Sequence, residues 1–590
     1  MITLRINNKT VEVEEGTTIL QAAKMNGILI PNLCYLHNVH ECGSCRICVV
    51  EVEGNKNLQA SCITKVQEGM NIHTHTEEVR KTRKIIYELM ISDHNKDCLS
   101  CTRNQSCELQ ELGELLGIDQ QRYEGLHSKN IVETSNPSIE RDMSKCILCR
   151  RCVTICNEIQ GVGVINPQNR GFETLVGPTE GLEMIDVNCT FCGQCTTVCP
   201  VGALKEKDSI KDVWRAIEDP SKRVVVQTAP AVRAALGEEF GYPAGTLVTG
   251  KMAAALRELG FDDVFDTNFA ADLTIIEEGN ELLKRLKAAL GGGEATLPMI
   301  TSCSPGWIKY IEHTFPNELN NLSTCKSPHM MLGALTKSFY AEKIGVAPED
   351  FYVVSVMPCT AKKYEITREV MDKDVDAVLT TRELAKMIKD AGIDFCNLED
   401  STFDNPLGLS SGAADIFGTT GGVMEAALRT VYEVVTGDEL PFDGLHVEPI
   451  MGFEGIKTAE VTITHTVPDW EILKGVTVKI AVASGLSNAQ KLVKEIHEGT
   501  SPYHFIEIMC CPNGCISGGG QPRPTTDEIR LKRMEAIYRE DDEKTLRKSH
   551  ENPFITKLYE DFLKEPLGHK SHELLHTTYV KRGKFNEFLE

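Results

Sequence analysis

The chain has 590 residues, a formal net charge of −23 and a composition of 41% hydrophobic and 25% charged residues that is typical of soluble proteins. Its length allows about four domains, and its excess of acidic side chains excludes an extended nucleic-acid or anionic-membrane surface, which needs clustered Lys and Arg. No run of about 18 apolar residues predicts a membrane span, and the start lacks the pattern of a signal peptide, so the sequence predicts a cytoplasmic protein.

The chain begins with a β-rich unit, predicted over residues 1–78, in which the alternating segments ITLRINN and VEVEEG indicate strands. A C-x2-C pair with one late cysteine on a β-grasp-like unit favours a 2Fe-2S cluster, although the first gap is wider than in plant-type ferredoxins. Cys42 lies within this spacing and is predicted to be an unliganded thiol, with a substitute ligand as the alternative. The four predicted ligands are Cys34, Cys45, Cys48 and Cys62.

A helical segment, predicted over residues 79–125, carries one histidine and three cysteines, His94, Cys98, Cys101 and Cys107. Three thiolates are one short of the four ligands that a 4Fe-4S cluster takes, and imidazole also serves iron-sulfur centres. His94 is therefore a candidate fourth ligand. From spacing alone, a structural histidine is the alternative.

Residues 126–209 contain two near-copies of a four-cysteine run, CILCRRC-x3-C and CTFCGQC-x3-CP. In bacterial two-cluster ferredoxins each such run gives three ligands to one 4Fe-4S cluster and its last cysteine to the other. Zinc ribbons also use C-x2-C pairs, but the duplicated third and fourth cysteines favour iron-sulfur clusters. One cluster would take Cys146, Cys149, Cys152 and Cys199, and the other Cys156, Cys189, Cys192 and Cys195.

The remainder, predicted as one domain over residues 210–590, alternates apolar runs with amphipathic helices, one of which starts with a capping box at Thr380 and Glu383. This alternation predicts α/β layers around a largely parallel sheet. Such sheets bind ligands beyond the carboxyl ends of their strands. Four runs end directly in the loops TAPAVR, TSCSPGW, PCTAKK and CCPNGC, so one site formed by these loops is predicted. The glycine-rich GTTGGVMEAALR contains neither GK[ST] nor GxGxxG and predicts no nucleotide site.

The motifs TSCSPGW, MPCTAKK and MCCPNGCISGGGQP, in this order behind the accessory cluster motifs, resemble those of the large monomeric iron-iron (FeFe) hydrogenases of anaerobic bacteria. The resemblance covers essentially the whole chain. It implies a multidomain α/β and α+β fold with a β-grasp 2Fe-2S domain, a small helical His/Cys3 domain, a two-cluster ferredoxin domain and an α/β catalytic domain. The catalytic domain would hold the H-cluster, a 4Fe-4S cubane joined through one cysteine to a di-iron unit with CO, cyanide and azadithiolate. On this resemblance His94 is a ligand.

The resemblance also implies the ligands of the H-cluster. Cys359 and Cys511 would hold the cubane, and Cys515 would bridge to the di-iron unit. The fourth ligand position of the family carries Ser304, whose hard oxygen is a poor replacement for a thiolate.

Three interpretations of Ser304 stay open. It ligates weakly as an alkoxide, a spare thiol such as Cys510 or Cys325 takes over, or the cluster is impaired. Cys510 is the favoured substitute, while Cys303 could turn inward only if the loop were rebuilt, because a residue before proline favours extended backbone. The alternative for Cys325, Cys396 and Cys510 is that each is a small buried hydrophobe.

The resemblance further assigns Cys303 to proton transfer, with the relay continuing to Glu278, Ser323 and Glu281. Glu278 and Glu281 are three residues apart and share a helix face; two solvated carboxylates are the alternative. Lys362 would donate a charge-assisted hydrogen bond to a cyanide. Around the di-iron unit would lie His329, where the family often has glutamine, and the apolar side chains of Pro230, Met357, Phe417 and Met509.

The activity that the resemblance implies is that of a ferredoxin hydrogenase, which forms or splits H2 and relays electrons through the accessory clusters. A ferredoxin or flavodoxin-type carrier and H-cluster maturation proteins would be its partners. The alternatives are a redox- or H2-sensing protein or an electron-transfer protein on the same fold, or a ligand variant with an impaired H-cluster. A subunit like the large iron-sulfur subunit of respiratory NADH dehydrogenases is disfavoured by Cys359, Cys511 and Cys515.

Overall fold

The structure is a computed structural model that describes residues 1–583 apart from Lys129, Glu180 and Asp372. The chain folds into two compact units. The first comprises residues 1–158, 163–187 and 198–205, and the second comprises residues 159–162, 188–197 and the described residues from 206 onward. Residues 188–197, which the sequence assigns to the ferredoxin domain, thus belong to the second unit; the predicted domain boundaries at residues 78, 125 and 209 remain predictions.

The first unit is built mainly from short strands. They are β1 (Ile2–Ile6), β2 (Lys9–Val13), β3 (Val49–Val52), β4 (Gln59–Ala60), β5 (Asn71–His73), β6 (Val132–Glu133), β7 (Ile139–Asp142), β8 (Asn166–Gln168), β9 (Leu175–Gly177) and β10 (Leu204–Glu206). Its α-helices are α1 (Ile19–Met25), α2 (Glu77–Ser92), α3 (Glu108–Leu115) and α4 (Arg151–Thr154).

The N-terminal sheet has the strand order β2-β1-β5-β3-β4. β1 and β2 pair as an antiparallel hairpin and bury alternate residues, as the sequence pattern predicts. β1 also pairs in parallel with β5. α1 starts with a capping box in which Thr18 and Gln21 bond each other's backbone N–H groups. This sheet and helix form the scaffold of the first cysteine set.

The second unit contains longer strands and most of the helices. Its strands are β11 (Arg223–Thr228), β12 (Asp263–Asp266), β13 (Met299–Ile300), β14 (Phe351–Met357), β15 (Ala377–Thr380), β16 (Ile456–Thr462), β17 (Thr477–Ser484) and β18 (Phe505–Met509). Its α-helices are α5 (Gln194–Val198), α6 (Ile210–Ile217), α7 (Pro230–Arg233), α8 (Thr249–Glu258), α9 (Asn268–Leu290), α10 (Pro305–Thr314), α11 (Pro328–Leu335), α12 (Ala341–Ile344), α13 (Ala361–Glu365), α14 (Thr381–Asp390), α15 (Gly412–Asp415), α16 (Gly422–Thr436), α17 (Leu486–His497), α18 (Asp527–Glu543), α19 (Pro553–Leu558) and α20 (His569–Leu575).

The strands of the second unit divide between two four-stranded sheets, where the sequence predicts one sheet. The order β12-β11-β14-β15 is parallel throughout, and in the order β13-β18-β17-β16 only β16 is antiparallel to its neighbour. Largely parallel pairing is confirmed. The division could not be predicted, because an apolar run does not specify which other run it pairs with.

The loops that carry the sequence motifs follow neighbouring strands in each sheet. β11 and β14 are neighbours in the first sheet, and β13 and β18 are neighbours in the second. Because these pairs are parallel, their carboxyl ends lie at the same edge of each sheet. Within the described part of the chain, the helices include none that is both long enough and apolar enough to cross a membrane.

Candidate functional site

The four N-terminal cysteines meet in the interior of the first unit. The sulfur atoms of Cys48 and Cys62 lie 3.3 Å apart, and the backbone N–H of Cys45 donates to the sulfur of Cys34 at 3.5 Å. Hydrogen bonds from the thiols of Cys45 and Cys62 lower the pKa of the Cys34 thiol. Four buried sulfur atoms in mutual contact fit the four thiolates of a 2Fe-2S cluster.

Cys42 has a different neighbour. Its sulfur lies 2.9 Å from Nε2 of His40, whose ring also contacts the hydroxyl of Thr154 at 2.6 Å and the carbonyl oxygen of Cys149 at 3.0 Å. These contacts support the interpretation of Cys42 as an unliganded thiol.

The second predicted ligand set follows α2 and reaches the start of α3. His94 and Cys107 are buried, whereas Cys98 and Cys101 are partly exposed. Burial and the neighbouring sulfur atoms of Cys107 and Cys98 raise the pKa of Tyr87 to about 12, and Cys101 is an electrostatic neighbour of Cys107. The three thiols therefore lie close together, and His94 as the fourth ligand stays a prediction.

The cysteines assigned to the first ferredoxin cluster share one cavity of the first unit. Burial raises the pKa of the Cys149 thiol, and the nearby thiolates of Cys199 and Cys146 raise it further. The last cysteine of the second run thus lies with the first three of the first run, as the ferredoxin spacing predicts. The cavity is lined by all four predicted ligands, Cys146, Cys149, Cys152 and Cys199.

The four cysteines assigned to the second ferredoxin cluster do not all belong to one unit. The loop around Cys192 packs against the catalytic loops of the second unit: the hydroxyl of Thr360 donates to the carbonyl oxygen of Phe191 at 2.8 Å. A Cβ atom at Gly519 would lie 2.4 Å from the carbonyl oxygen of Cys192, so glycine is required there. Cys156 belongs to the first unit, and the second unit contains Cys189, Cys192 and Cys195.

The three cysteines predicted to hold the H-cluster lie together in the second unit. Cys359 follows β14, and Cys511 follows β18. Burial raises the pKa of Cys359 to about 12, with a further contribution from Cys511. Burial also raises the pKa of Cys515, and Cys511 and Cys359 both add to it. Each thiol is therefore an electrostatic neighbour of the other two, so three loops meet at one point.

The turn that positions Cys515 depends on Gly514. This glycine has φ of +89°, a conformation that other residues rarely adopt. A Cβ atom there would lie only 2.6 Å from the backbone nitrogen of Thr420. The preceding Asn513 has φ of +64°, which asparagine tolerates better than most residues. The Asn-Gly pair in CCPNGC therefore fixes the place of the bridging cysteine.

Ser304 and Cys303 contact different parts of the pocket. Ser304 is the N-cap of α10 and has extended backbone, φ −103° and ψ 99°, as the following proline predicts. Its hydroxyl oxygen accepts a hydrogen bond from the backbone N–H of Cys510 at 3.2 Å. Burial raises the pKa of Cys303 well above its usual value, and Glu278 raises it further. Ser304 thus contacts the cysteine-rich loop, while Cys303 lies near the predicted relay.

Lys362 belongs to a buried ion-pair network. Its Nζ donates to the carbonyl oxygen of Cys303 at 3.0 Å and to Oε2 of Glu365 at 2.8 Å. His329 places Nε2 2.7 Å from the same Oε2 and Nδ1 3.1 Å from the hydroxyl of Ser355. Burial opposes ionisation of Glu365, but Lys362 and His329 lower its pKa to about 2. Burial and Lys362 lower the pKa of His329 to about 4, so its ring is neutral at pH 7 and both ring nitrogens have protein partners.

The predicted apolar side chains surround these polar groups. Phe417 and Met509 belong to one hydrophobic cluster with the partly buried Cys303 and Cys515. A pocket lined by sulfur and hydrocarbon has little affinity for bulk water. All four predicted apolar residues are buried, namely Pro230, Met357, Phe417 and Met509.

The predicted relay residues form a connected buried chain. The Ser323 side chain lies beside the Glu278 carboxyl group, and its hydroxyl donates to Oε2 of Glu281 at 3.2 Å. Both carboxylates project from α9 and are 2% and 7% exposed, so the alternative of two solvated side chains is wrong. Burial raises the pKa of Glu278 to about 8, and the Glu281 carboxylate contributes to the rise. At the outer end, Arg285 donates to Oε1 of Glu281 at 2.6 Å.

Sequence reasoning missed three charged neighbours of the pocket. Glu365 follows Lys362 by three residues and Arg285 follows Glu281 by four, and both spacings favour ion pairs on a helix. Glu507 is a fully buried acid within β18 that accepts two backbone N–H groups at 2.7 Å. The sequence does mark Glu507, because it is an acidic residue within an otherwise apolar strand.

The spare thiols fall in three different environments. The backbone N–H of Cys325 donates to the hydroxyl of Ser323 at 3.3 Å, which places this buried residue beside the relay. Cys396 is exposed, so its interpretation as a buried hydrophobe is wrong. Cys510 is buried, and its thiol has the thiols of Cys192 and Cys511 as neighbours.

The residues of this pocket fit the group that the sequence predicts. Buried thiols are the soft ligands that iron-sulfur iron prefers. The ammonium of Lys362 suits an anionic ligand such as cyanide, because charge-assisted hydrogen bonds are the stronger ones. The set Cys359, Cys511 and Cys515 could therefore hold a cubane, with an apolar space beside it for a di-iron unit.

Five parts of the chain match known protein families. Residues 222–519 match the family described as "Iron only hydrogenase large subunit, C-terminal domain", and residues 527–582 match "Iron hydrogenase small subunit". Residues 1–77 match "2Fe-2S iron-sulfur cluster binding domain". Residues 83–122 match "NADH-ubiquinone oxidoreductase-G iron-sulfur binding region", and residues 145–203 match "4Fe-4S dicluster domain".

Two curated relatives are similar to this chain over nearly its whole length. The chain is 51% identical over 593 residues to NADP-reducing hydrogenase subunit HndD of Solidesulfovibrio fructosivorans, and the match covers 99% of each chain. It is 39% identical over 599 residues to Iron hydrogenase 1 of Clostridium pasteurianum, covering 98% of this chain and 100% of that protein. The solved structure of the [FeFe]-hydrogenase HydA(deltaEFG) matches 63% of this chain and 98% of its own, with 45% identity and a TM-score of 0.57. The chain therefore belongs to the iron-only (FeFe) hydrogenase family, as a hydrogenase with an H-cluster domain and accessory 2Fe-2S and 4Fe-4S domains.

Proposed function

We propose that this hydrogenase catalyses the reversible reaction 2H⁺ + 2e⁻ ⇌ H2 and exchanges the electrons singly, through its accessory clusters, with a ferredoxin or flavodoxin-type carrier. The observation that carries this proposal is the meeting of Cys359, Cys511 and Cys515 in one buried pocket beside Cys303 and Glu278. The pocket thus combines ligands for a redox-active metal group with titratable groups that can deliver protons.

In this proposal Cys359 and Cys511 would hold the cubane, and Cys515 would join it to the di-iron unit. When bound, the H-cluster supplies the iron centre at which H2 is formed or split. Lys362 would donate to a cyanide. Glu365 accepts from the Lys362 ammonium and holds it in place, and His329 in turn contacts Glu365. The apolar residues that exclude water from the pocket are Pro230, Met357, Phe417 and Met509.

Protons are proposed to pass between solvent and the pocket along Glu281, Ser323, Glu278 and Cys303. During H2 formation the carboxyl of Glu278 protonates Cys303 as the thiol gives up its own proton to the pocket, and Glu281 reprotonates Glu278 through the Ser323 hydroxyl. A pKa of about 8 suits Glu278 for this role, because an acid-base group works best near the operating pH.

The accessory groups are proposed to be one 2Fe-2S cluster and three 4Fe-4S clusters. A 2Fe-2S cluster and a 4Fe-4S cluster each take four ligands, so four sets are needed. The proposed sets are Cys34, Cys45, Cys48 and Cys62; His94, Cys98, Cys101 and Cys107; Cys146, Cys149, Cys152 and Cys199; and Cys156, Cys189, Cys192 and Cys195.

We further propose a cytoplasmic location and dependence on H-cluster maturation proteins. The chain has 23 cysteines, most of them in C-x2-C type spacings that suit metal ligation, and thiolate ligands of this kind persist in a reducing compartment. A di-iron unit that carries CO and cyanide cannot assemble from iron and sulfide alone, so other proteins must supply it.

Reduction of NADP is a second candidate, because the relative that is 51% identical over 99% of both chains is named an NADP-reducing hydrogenase subunit. The glycine-rich segment GTTGGVMEAALR lacks the GxGxxG pattern of dinucleotide sites. In this version the chain would convert H2, and a nucleotide-binding partner subunit would receive the electrons.

The proposal is tested with the matured, full-length protein under anaerobic conditions. We expect infrared bands of CO and cyanide, H2 evolution from reduced methyl viologen and from reduced ferredoxin, and no NADP reduction by the isolated chain. Bands without H2 would indicate a sensor, and absence of the bands would indicate an electron-transfer protein or an impaired site. NADP reduction by the isolated chain would contradict the assignment of nucleotide binding to a partner.

Replacing Cys48 with serine is expected to remove the 2Fe-2S cluster and lower the iron content by about two atoms per chain. The reason is that Cys48 contacts the Cys62 sulfur at 3.3 Å within the four-thiol set. Iron analysis and the electron paramagnetic resonance (EPR) signal of the reduced cluster provide the measurement. Cys42→Ser is the matched control, since that sulfur contacts His40, and it should leave both readouts unchanged. Iron loss in the control alone would reverse the two assignments.

A further inference from the structure

The catalytic cubane lacks one thiolate in the ligand set proposed above. A 4Fe-4S cluster of this kind takes four cysteine ligands, whereas Cys359, Cys511 and Cys515 supply three. Ser304 offers only a hydroxyl, a hard donor that gives up its proton far less readily than a thiol. Its oxygen already accepts the backbone N–H of Cys510 at 3.2 Å, a contact that joins two loops of the pocket.

The thiol of Cys510 lies beside one of the proposed ligand sulfurs, that of Cys511. The chain leaves β18 at Met509 and bends through Cys510 and Cys511, so the two side chains do not alternate as they would in a strand. Their thiols are neighbours, which puts both on the same side of the bend. A Cβ atom at Gly306 would lie 2.7 Å from the Cys510 sulfur, so glycine at 306 leaves the space that this sulfur occupies.

The other thiols of the catalytic unit have different surroundings. Cys303 also neighbours Cys515, but Glu278 and Lys362 are its stronger electrostatic neighbours, and it is the proposed pocket end of the relay. Cys325 contacts Ser323, farther along the same relay, and Cys396 is exposed. Cys510 is therefore the thiol that remains for the cubane.

The Cys510 thiol also contacts Cys192, but the cluster proposed for Cys192 already has four ligands. The ligand set that lacks a fourth thiolate is that of the catalytic cubane. We propose that Cys510 is the fourth thiolate ligand of that cubane, together with Cys359, Cys511 and Cys515, and that Ser304 has a structural role as the acceptor for the Cys510 backbone. On binding, the Cys510 thiol releases one proton and its sulfur bonds to iron, with no change of oxidation state.

This assignment has a consequence for electron transfer. Because the thiols of Cys510 and Cys192 are in contact, sulfur ligands of two different clusters lie side by side within the second unit. An electron could then cross from one cluster to the other through a single sulfur-to-sulfur contact.

The test uses the full-length chain produced without maturation proteins and reconstituted with iron and sulfide, so that it carries clusters but no di-iron unit. The variants are Cys510→Ala, Ser304→Ala, Cys359→Ala and the double variant Ser304→Cys/Cys510→Ala. Iron per chain and the EPR spectrum of the reduced clusters are measured first. A synthetic di-iron complex with CO and cyanide is then added, and the infrared bands of the bound unit are recorded.

We expect Cys510→Ala to lose about four iron atoms per chain and to bind no di-iron unit. Ser304→Ala should keep the four iron atoms and bind the di-iron unit. The double variant should regain the iron and the di-iron unit, because Ser304→Cys returns a thiol to the pocket. Recovery in the double variant would also exclude misfolding as the cause of the loss in Cys510→Ala. Retained iron and bands in Cys510→Ala would overturn the inference, and so would their loss in Ser304→Ala. Retention in Cys359→Ala would instead contradict the proposed ligand set itself.

Discussion

Replacing Glu278 with glutamine is expected to lower H2 turnover by roughly 10²–10⁴-fold, the usual contribution of a positioned acid-base group. Glutamine keeps the shape of the side chain and its place beside Ser323, but it cannot take up and release a proton in this pathway. The infrared bands of the H-cluster should be unchanged, because Glu278 is not a proposed ligand. Turnover with reduced methyl viologen, compared at equal band intensity, provides the measurement.

The same variant should change the dependence of the rate on pH. The pKa of Glu278 is raised to about 8 by burial, so its carboxyl group is protonated below that pH and ionised above it. H2 formation uses the protonated form, and its rate should fall as pH rises through about 8. H2 oxidation uses the ionised form and should rise over the same interval. In Glu278→Gln neither change near pH 8 should remain.

Glu277→Gln is the matched control, since Glu277 is also a buried carboxylate of α9 but bonds Tyr559 and His576. It should keep turnover within a few-fold of the wild type and retain the pH profile. A Glu278→Gln enzyme with wild-type turnover and an unchanged pH profile would remove Glu278 from the relay.

The parts of the site that could be predicted from sequence are those encoded by local spacing. The C-x2-C-x2-C-x3-C runs specify exchange of the fourth cysteine, and Cys199 does lie with Cys149 and Cys146. The proline after Ser304 predicts its extended backbone, and the three-residue spacing of Glu278 and Glu281 predicts their shared helix face. Each of these inferences needs only the geometry of a few consecutive residues.

The parts that could not be predicted depend on contacts between distant segments. The apolar runs predict strands, but their division into two sheets depends on which surfaces the helices cover. The packing of residues 188–197 in the second unit depends on close approaches such as that of Gly519 to the Cys192 carbonyl. The neighbours of the Cys510 thiol likewise follow from the bend after β18, which apolar periodicity does not specify.

Replacing Cys515 with alanine is expected to abolish H2 turnover and to remove the CO and cyanide infrared bands. Cys515 is the residue proposed to join the cubane to the di-iron unit, and a methyl group cannot coordinate iron. Burial and the nearby sulfurs of Cys511 and Cys359 raise the pKa of the Cys515 thiol. The thiol is therefore protonated at neutral pH unless a metal cation binds the sulfur and stabilises the thiolate.

The control for this variant is Cys396→Ala, because Cys396 is an exposed thiol that contacts the carbonyl oxygen of Phe240. It should keep the bands and the turnover, which separates loss of a ligand from loss of any thiol. The EPR signals of the accessory clusters should survive in Cys515→Ala, since the cysteines of those sets are unchanged, and their survival would exclude misfolding.

Bands and H2 evolution that persist in Cys515→Ala would mean that the di-iron unit is held by another sulfur. Because the turn at Gly514 is built to place residue 515 beside Cys359 and Cys511, that outcome would require a different pocket from the one formed by these three loops.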